Sequence, residues 1–280
     1  MSDPRPIGVF DSGSGGLTVA RAILDSLPGE SLLYVGDTAR FPYGPRPLEE
    51  IRGFALEIAA YLVGRNVKML VVACNSIEVA AIEEVTVAAG LPVAGVIDPG
   101  VRAAVRATHN GRVGLIGTEA TVASGAYQRA VDRTGQDVQL LSRACPVFVD
   151  YVERGDTASD ELFGIARDYL APLQDAGVDT LILGCTHYPL LSGLIAYVMG
   201  PDVRLISSAE ETARDVFASL HREGLQAPEG SKNAQHEFVC TGDPLLFRKV
   251  AEVFLGPSIP EVRVAVPGGF QATAGVTRWS

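Results

Sequence analysis

The chain has 280 residues, 47% of them hydrophobic and 7% aromatic, with 30 glycines. That is enough to bury the core of one large α/β domain or two ordinary ones, and it excludes disordered and fibrous classes. A formal net charge of −10 argues against general binding to nucleic acid or anionic membranes, which needs a basic surface, so a small molecule is the expected ligand.

The opening stretch MSDPRPIGVF has no charged-then-apolar signal pattern. No apolar run reaches the roughly 18 residues that span a bilayer, and a cytoplasmic protein with no membrane partner is expected. Short apolar runs of the kind buried in parallel sheets follow in order: IGVF (7–10), LLYVG (32–36), KMLVVAC (68–74), VAGVI (93–97), VGLIG (113–117), TLILGC (180–185), VRLIS (203–207) and EFVCTG (237–242). Helix-period segments lie between them, among them LTVARAILDSL, LEEIRGFALEIAAYLVGRN, AYQRAVDRTG and ELFGIARDYLAPLQDAG. Strand and helix in alternation predict an α/β fold of βαβ units with a mostly parallel sheet covered on both faces.

The chain also echoes itself. VKMLVVACNS (67–76) aligns with VDTLILGCTH (178–187), and IGVFDS (7–12) with VGLIGT (113–118). The echo predicts two pseudo-symmetric α/β domains. The first comprises 1–98 plus 208–280, with a mobile tail from about 267; the second comprises 99–207. In open parallel sheets ligands bind beyond the carboxyl ends of the strands, where Cys74 and Cys185 both fall, so the two thiols are expected to face one cleft.

Four scattered cysteines, Cys74, Cys145, Cys185 and Cys240, show no C-x-x-C spacing, so neither a zinc site nor a disulfide framework is expected. Two thiols across a small cleft suit a two-base racemase. One removes a proton from carbon while the other supplies a proton to the opposite face, and a thiol's usual pKa of about 8.5 keeps both forms within reach of neutral pH. The bland alternative for any single cysteine is a small buried hydrophobe; Cys145 and Cys240 keep that reading.

Around Cys74, the turn Asp11-Ser12-Gly13-Ser14-Gly15-Gly16 opens a helix at Leu17. Its spacing is not G-x-G-x-x-G and it carries no P-loop lysine, which disfavours a nucleotide. Asp11 is expected to point into the cleft, orient the Cys74 thiol and receive its proton, or hold a substrate ammonium. His187 can serve Cys185 in the same way, or merely cap the following helix. Asn75 with Ser76, and Thr186 beside His187, are expected at strand-to-helix junctions as clamps for a carboxylate, or as ordinary N-caps. The loop GDTARFPYGPRP (36–47) presents an exposed-looking Tyr43-Gly44 as a ligand cover or a rigid surface turn. Only three lysines are present, none in a recognisable cofactor-anchoring loop. No Schiff-base cofactor is expected, and the carbanion must be stabilised by protein hydrogen bonds in a dry site.

With FDSGSGG, PYG, ACNS and GCTHYPLL in this order over nearly the whole chain, the sequence resembles the glutamate racemases of the aspartate/glutamate racemase superfamily. The resemblance implies cofactor-independent interconversion of L- and D-glutamate, supplying D-glutamate for peptidoglycan, and a homodimer. By that pattern Cys74 and Cys185 are the catalytic pair, assisted by Asp11 and His187. Asp11, Ser12, Tyr43, Gly44, Asn75, Ser76, Thr186 and His187 line the substrate site, and no metal is involved. The family usually has Thr where this chain has Ser76, which keeps the hydroxyl and drops a methyl. The alternatives are an aspartate racemase with the same thiols, a cysteine hydrolase using Cys185 and His187 without Cys74, and a periplasmic-type amino-acid-binding protein, which would need an export signal.

Overall fold

A computed structural model of the protein describes residues 2–231, 234–256 and 262–265. The first sheet is built from β1 (Ile7–Asp11), β2 (Leu32–Gly36), β3 (Met69–Val72), β4 (Val93–Ala94), β9 (His236–Cys240) and β10 (Val262–Val264), in the order β10-β9-β2-β1-β3-β4. The second holds β5 (Arg112–Gly117), β6 (Gln139–Ala144), β7 (Thr180–Gly184) and β8 (Arg204–Ile206), in the order β6-β5-β7-β8. Every pairing is parallel. The fold is α/β with two parallel sheets flanked by helices.

The period of two explains why each sheet is covered on both faces. In the first lobe Ile7, Val9, Leu32, Tyr34, Met69 and Val71 pack with Leu17, Val19 and Ile23 of α1 (Leu17–Ser26), with Val216 of α10 (Ala209–Glu223) and with Phe247 of α11 (Pro244–Leu255). Their alternates Phe10, Leu33, Val35, Leu70 and Val72 pack with Ile51 and Ile58 of α2 (Leu48–Gly64) and Ile77 and Val85 of α3 (Asn75–Ala89). The second sheet does the same. Val113, Leu115 and Ile182 meet α4 (Ile97–Ala107) and α6 (Ala126–Arg133). Ile116, Leu181 and Leu183 meet α7 (Val147–Glu153), α8 (Asp160–Asp175) and α9 (Ser192–Met199).

The echo is also topological. β2-β1-β3-β4 and β6-β5-β7-β8 have the same order, with β1 and β5 central, and Cys74 and Cys185 follow β3 and β7. Beyond the thiols the copies diverge. Cys74 is the N-cap of α3, whereas Cys185 leads into a 3-10 turn at Tyr188–Leu191 containing Pro189. Thr186 and His187 therefore precede a 3-10 turn that runs directly into α9.

Two expectations are corrected, and two strands escape the sequence reading. The strand expected over 93–97 is only Val93–Ala94, because the Glu78 carboxylate accepts hydrogen bonds from Val96 N (2.5 Å) and Ile97 N (3.1 Å) and turns that segment into the start of α4. β6 and β10, edge strands with mostly half-exposed or exposed residues, have no buried run to announce them. Tyr43 is 1% exposed, not a surface residue. The tail expected to be mobile from about 267 lies outside the described residues.

The chain crosses between the lobes twice, between β4 and α4 and again between β8 and α10. Burial pushes the Glu78 carboxyl up, against the pull of the Val96 and Ile97 N–H groups, to about 7. A carboxyl raised above its ordinary 4.5 contributes stability that is complete below pH 4.5 and lost as pH rises through 7. Between pH 5 and 8 the unfolding midpoint of the wild type should therefore fall relative to Glu78→Gln by about 3 °C or more. Parallel melting curves for the two proteins would refute this.

Candidate active site

Cys74 and Cys185, 5% and 7% exposed, open on the same cavity of about 220 Å³. Ser12, Tyr43, Gly44, Asn75, Ser76, Thr186 and His187 line it with them. Asp11 does not. Fully buried at the end of β1, it stands one layer back, its carboxylate accepting from Gly13 N (3.0 Å) and from Thr186 Oγ1 of the other lobe (3.5 Å).

The two thiols have different surroundings. Cys74 Sγ has the Ser12 hydroxyl as its hydrogen-bond partner, at 3.5 Å. Burial pushes this thiol well above its ordinary range, the Asp11 charge adds to the shift, and the bond to Ser12 only partly offsets it. Cys185 Sγ faces His187 Nδ1 at 3.9 Å, and His187 Nε2 lies 2.7 Å from Glu153 Oε1 at the end of α7. Burial alone would lower the imidazole, but its bonds and charge interactions with Cys185 and Glu153 prevail and bring it up to about 10. Glu153 shifts the other way. Burial raises its carboxyl, and the His187 bond outweighs that and holds it below the usual range. The result is a mostly buried imidazolium–carboxylate pair with Nδ1–H left to point at a thiol.

The glycine-rich turn serves lobe contact. A Cβ on Gly15 would stand 2.7 Å from His187 Nδ1 and closer still to Thr186 Oγ1, so only glycine lets the second lobe's motif come this near. From the same turn Ser14 Oγ donates to Glu153 Oε1 at 3.3 Å. Asn75 Oδ1 accepts from Tyr127 OH of α6 at 2.7 Å, and Ser76 Oγ pairs with Thr118 Oγ1 at 3.0 Å.

The loop over 36–47 is rigidly held. Asp37 accepts from Tyr43 OH, Arg40 Nε (2.6 Å) and Thr241 Oγ1 (2.7 Å), and Arg40 also reaches Glu57 at 2.5 Å. Burial, then the Asp37 charge, raise the Tyr43 hydroxyl far above its ordinary value, so it stays a donor. Phe41 of this loop packs on the second lobe's core, its ring 5.4 Å from that of His187, and closes one wall of the cavity.

Glu153, Phe41 and Tyr127 are residues that sequence reasoning missed. None sits near a cysteine motif. Thr118, which lines the cavity, was within reach, because the IGVFDS and VGLIGT echo sets it opposite Ser12.

Two strand-end thiols thus open on one cavity, with an imidazolium–carboxylate pair beside one of them. The model of a family described as Asp/Glu/hydantoin racemase matches residues 7–216. The chain belongs to that family. It is 55% identical over 260 residues, 93% of this chain and 94% of the relative, to a glutamate racemase of Parafrankia sp. (strain EAN1pec). Among solved structures it is similar to glutamate racemase isoform RacE1 of Bacillus anthracis, with TM-score 0.87 and 42% identity over 94% of this chain and 97% of that one. A glutamate racemase of Francisella tularensis subsp. tularensis SCHU S4 in complex with D-glutamate also has TM-score 0.87, at 35% identity over 94% and 98% of the two chains.

Because Glu153 holds His187 charged, Glu153→Gln in this racemase-family chain should lower the His187 pKa from about 10 by about one unit or more. Histidine-selective NMR titration measures it, and an unmoved titration would rule out the pair. Gly15→Ala should displace Thr186 and His187 and lower kcat/KM by roughly tenfold or more, with a circular-dichroism spectrum like that of the wild type. An undiminished rate would show that the close approach is dispensable.

Proposed function

We propose that this chain is a cofactor-independent glutamate racemase that interconverts L- and D-glutamate by a two-base mechanism. The observation that carries the reading is the opening of Cys74 and Cys185, from equivalent strand ends of two look-alike lobes, onto one small cavity. In this reading the lobes are domains comprising 1–98 with 208–280, and 99–207.

The environments of the thiols divide the work. Cys74, held neutral by burial beside Asp11, is set to give a proton. Cys185 faces the His187 imidazolium and is set to take the Cα proton. In one turnover the Cα–H bond breaks to form Cys185 S–H, and Cys74 S–H breaks to form a new Cα–H bond on the opposite face. The reverse reaction exchanges the roles. Asn75, Ser76 and Thr186 supply polar groups for the substrate carboxylates, with Ser12, Tyr43 and Gly44 lining the remainder of the cavity. No cofactor or metal is invoked, and Phe41 and the anchored loop keep water out while the carbanion exists.

The closeness of the named relatives favours glutamate over aspartate. The role that follows is supply of D-glutamate for peptidoglycan and so for cell-wall biogenesis, in the cytoplasm and as a homodimer. Among the described residues no helix is long and apolar enough to cross a membrane.

In deuterated water the protein should exchange the Cα hydrogen of glutamate as it racemises it, at a kcat/KM at least tenfold above that for aspartate. Cys74→Ala and Cys185→Ala should each cut racemisation by about 10³-fold or more. Wild-type turnover in either variant would exclude the two-base assignment.

A further inference from the structure

Tyr127 is 2% exposed and far in sequence from both cysteine motifs, yet it bonds to one and packs beside the other. Its ring lies 3.5 Å from where a Cβ on Gly184, the residue before Cys185, would stand. Its hydroxyl donates to Oδ1 of Asn75, the residue after Cys74, at 2.7 Å. It therefore spans the two strand ends whose mutual placement the reaction needs.

The consequence for Asn75 follows from amide chemistry. A side-chain amide has one acceptor oxygen and one nitrogen carrying two donors. With Oδ1 committed to Tyr127, the nitrogen is the atom left for the cavity that Asn75 lines. Amino-acid carboxylates only accept hydrogen bonds, so an amide turned this way attracts them and one turned the other way repels them. The Tyr127 hydroxyl holds its proton, since burial, with smaller contributions from Glu78 and Cys185, raises it well above its ordinary range. It is a permanent donor and selects one of the two amide orientations.

We propose that Tyr127 is a positioning residue for the racemase reaction: it fixes the Asn75 amide with Nδ2 toward the cavity. The proposal rests on the racemase reading above. Tyr127 touches no reacting atom, and its effect passes through Asn75. Loss of the hydroxyl frees the amide to rotate and weakens substrate binding, while both thiols stay in place.

The test is a double-mutant cycle of Tyr127→Phe and Asn75→Ala, with kcat and KM measured separately for L- and D-glutamate and thermal melting as a control for folding. Tyr127→Phe should raise KM about three- to tenfold for both enantiomers, the effect of losing one well-placed hydrogen bond, with kcat within about twofold of the wild type. In the Asn75→Ala background the same substitution should leave KM within about 1.5-fold. An unchanged KM in Tyr127→Phe with only a lower melting temperature overturns the proposal, as does a KM effect that persists undiminished in Asn75→Ala. Should Tyr127→Phe not fold, Tyr127→Met, which fills the space without a hydroxyl, must give the same KM shift. No glutamate turnover by the wild-type protein would overturn the racemase reading and this inference together; normal wild-type turnover with an unmoved KM in the variants overturns the inference alone.

Discussion

The structure depends on how closely two lobes can approach at one point. At Gly15 the backbone of the first lobe meets Thr186 and His187 of the second with no room for a methyl group. The other contacts of the site cluster around it. Ser14, next to Gly15, and His187 share one oxygen of Glu153, and Thr186 reaches Asp11. Phe41 lies over His187 and against Gly13. A single side chain at Gly15 would separate the groups that form the second proton site from those behind the first. The sequence cost of this approach is a run of glycine and serine that resembles a phosphate loop and serves a different purpose.

Closure at that point lets two chemically identical groups behave differently. One thiol is buried beside a carboxylate, and burial with that charge raises it; the other faces a buried imidazolium. Low local dielectric strengthens both effects. Charge is alternated through the site, with Asp11 behind Cys74, and with Glu153 behind His187 behind Cys185. The thiols keep the symmetry of the duplicated strand ends, while the asymmetry comes from the groups beside and behind them.

Much of this was legible in the sequence, for identifiable reasons. β1, β2, β3, β5 and β7 are buried on both faces and so read as unbroken apolar runs, whereas β6, with Gln139, Ser142 and Arg143 exposed, does not. VAGVI reads as a strand by composition. Its last two residues, Val96 and Ile97, start a helix because the Glu78 carboxylate takes up their N–H groups, which no local pattern records. Ser12, Asn75, Ser76, Thr186 and His187 are chain neighbours of the end of β1 or of the thiols and could be found by adjacency. Glu153 could not, since its partners lie 139 and 34 residues away. Tyr43 was expected at the surface because its neighbours are turn-formers, but the Asp37 carboxylate draws it inside.

The double crossing of the chain bears on how the two thiols are held relative to each other. The start of α4 and the start of α10 lie side by side, a Cβ on Gly100 falling 3.3 Å from that of Ser208. Beyond them the helices are laced by Arg102 with Asp215 and Arg106 with Glu211. Two adjacent tethers resist twisting and sliding of one lobe over the other and leave bending as the soft direction, like a book whose spine is sewn twice. Bending about that spine changes the distance between the two thiols without offsetting one strand end from the other.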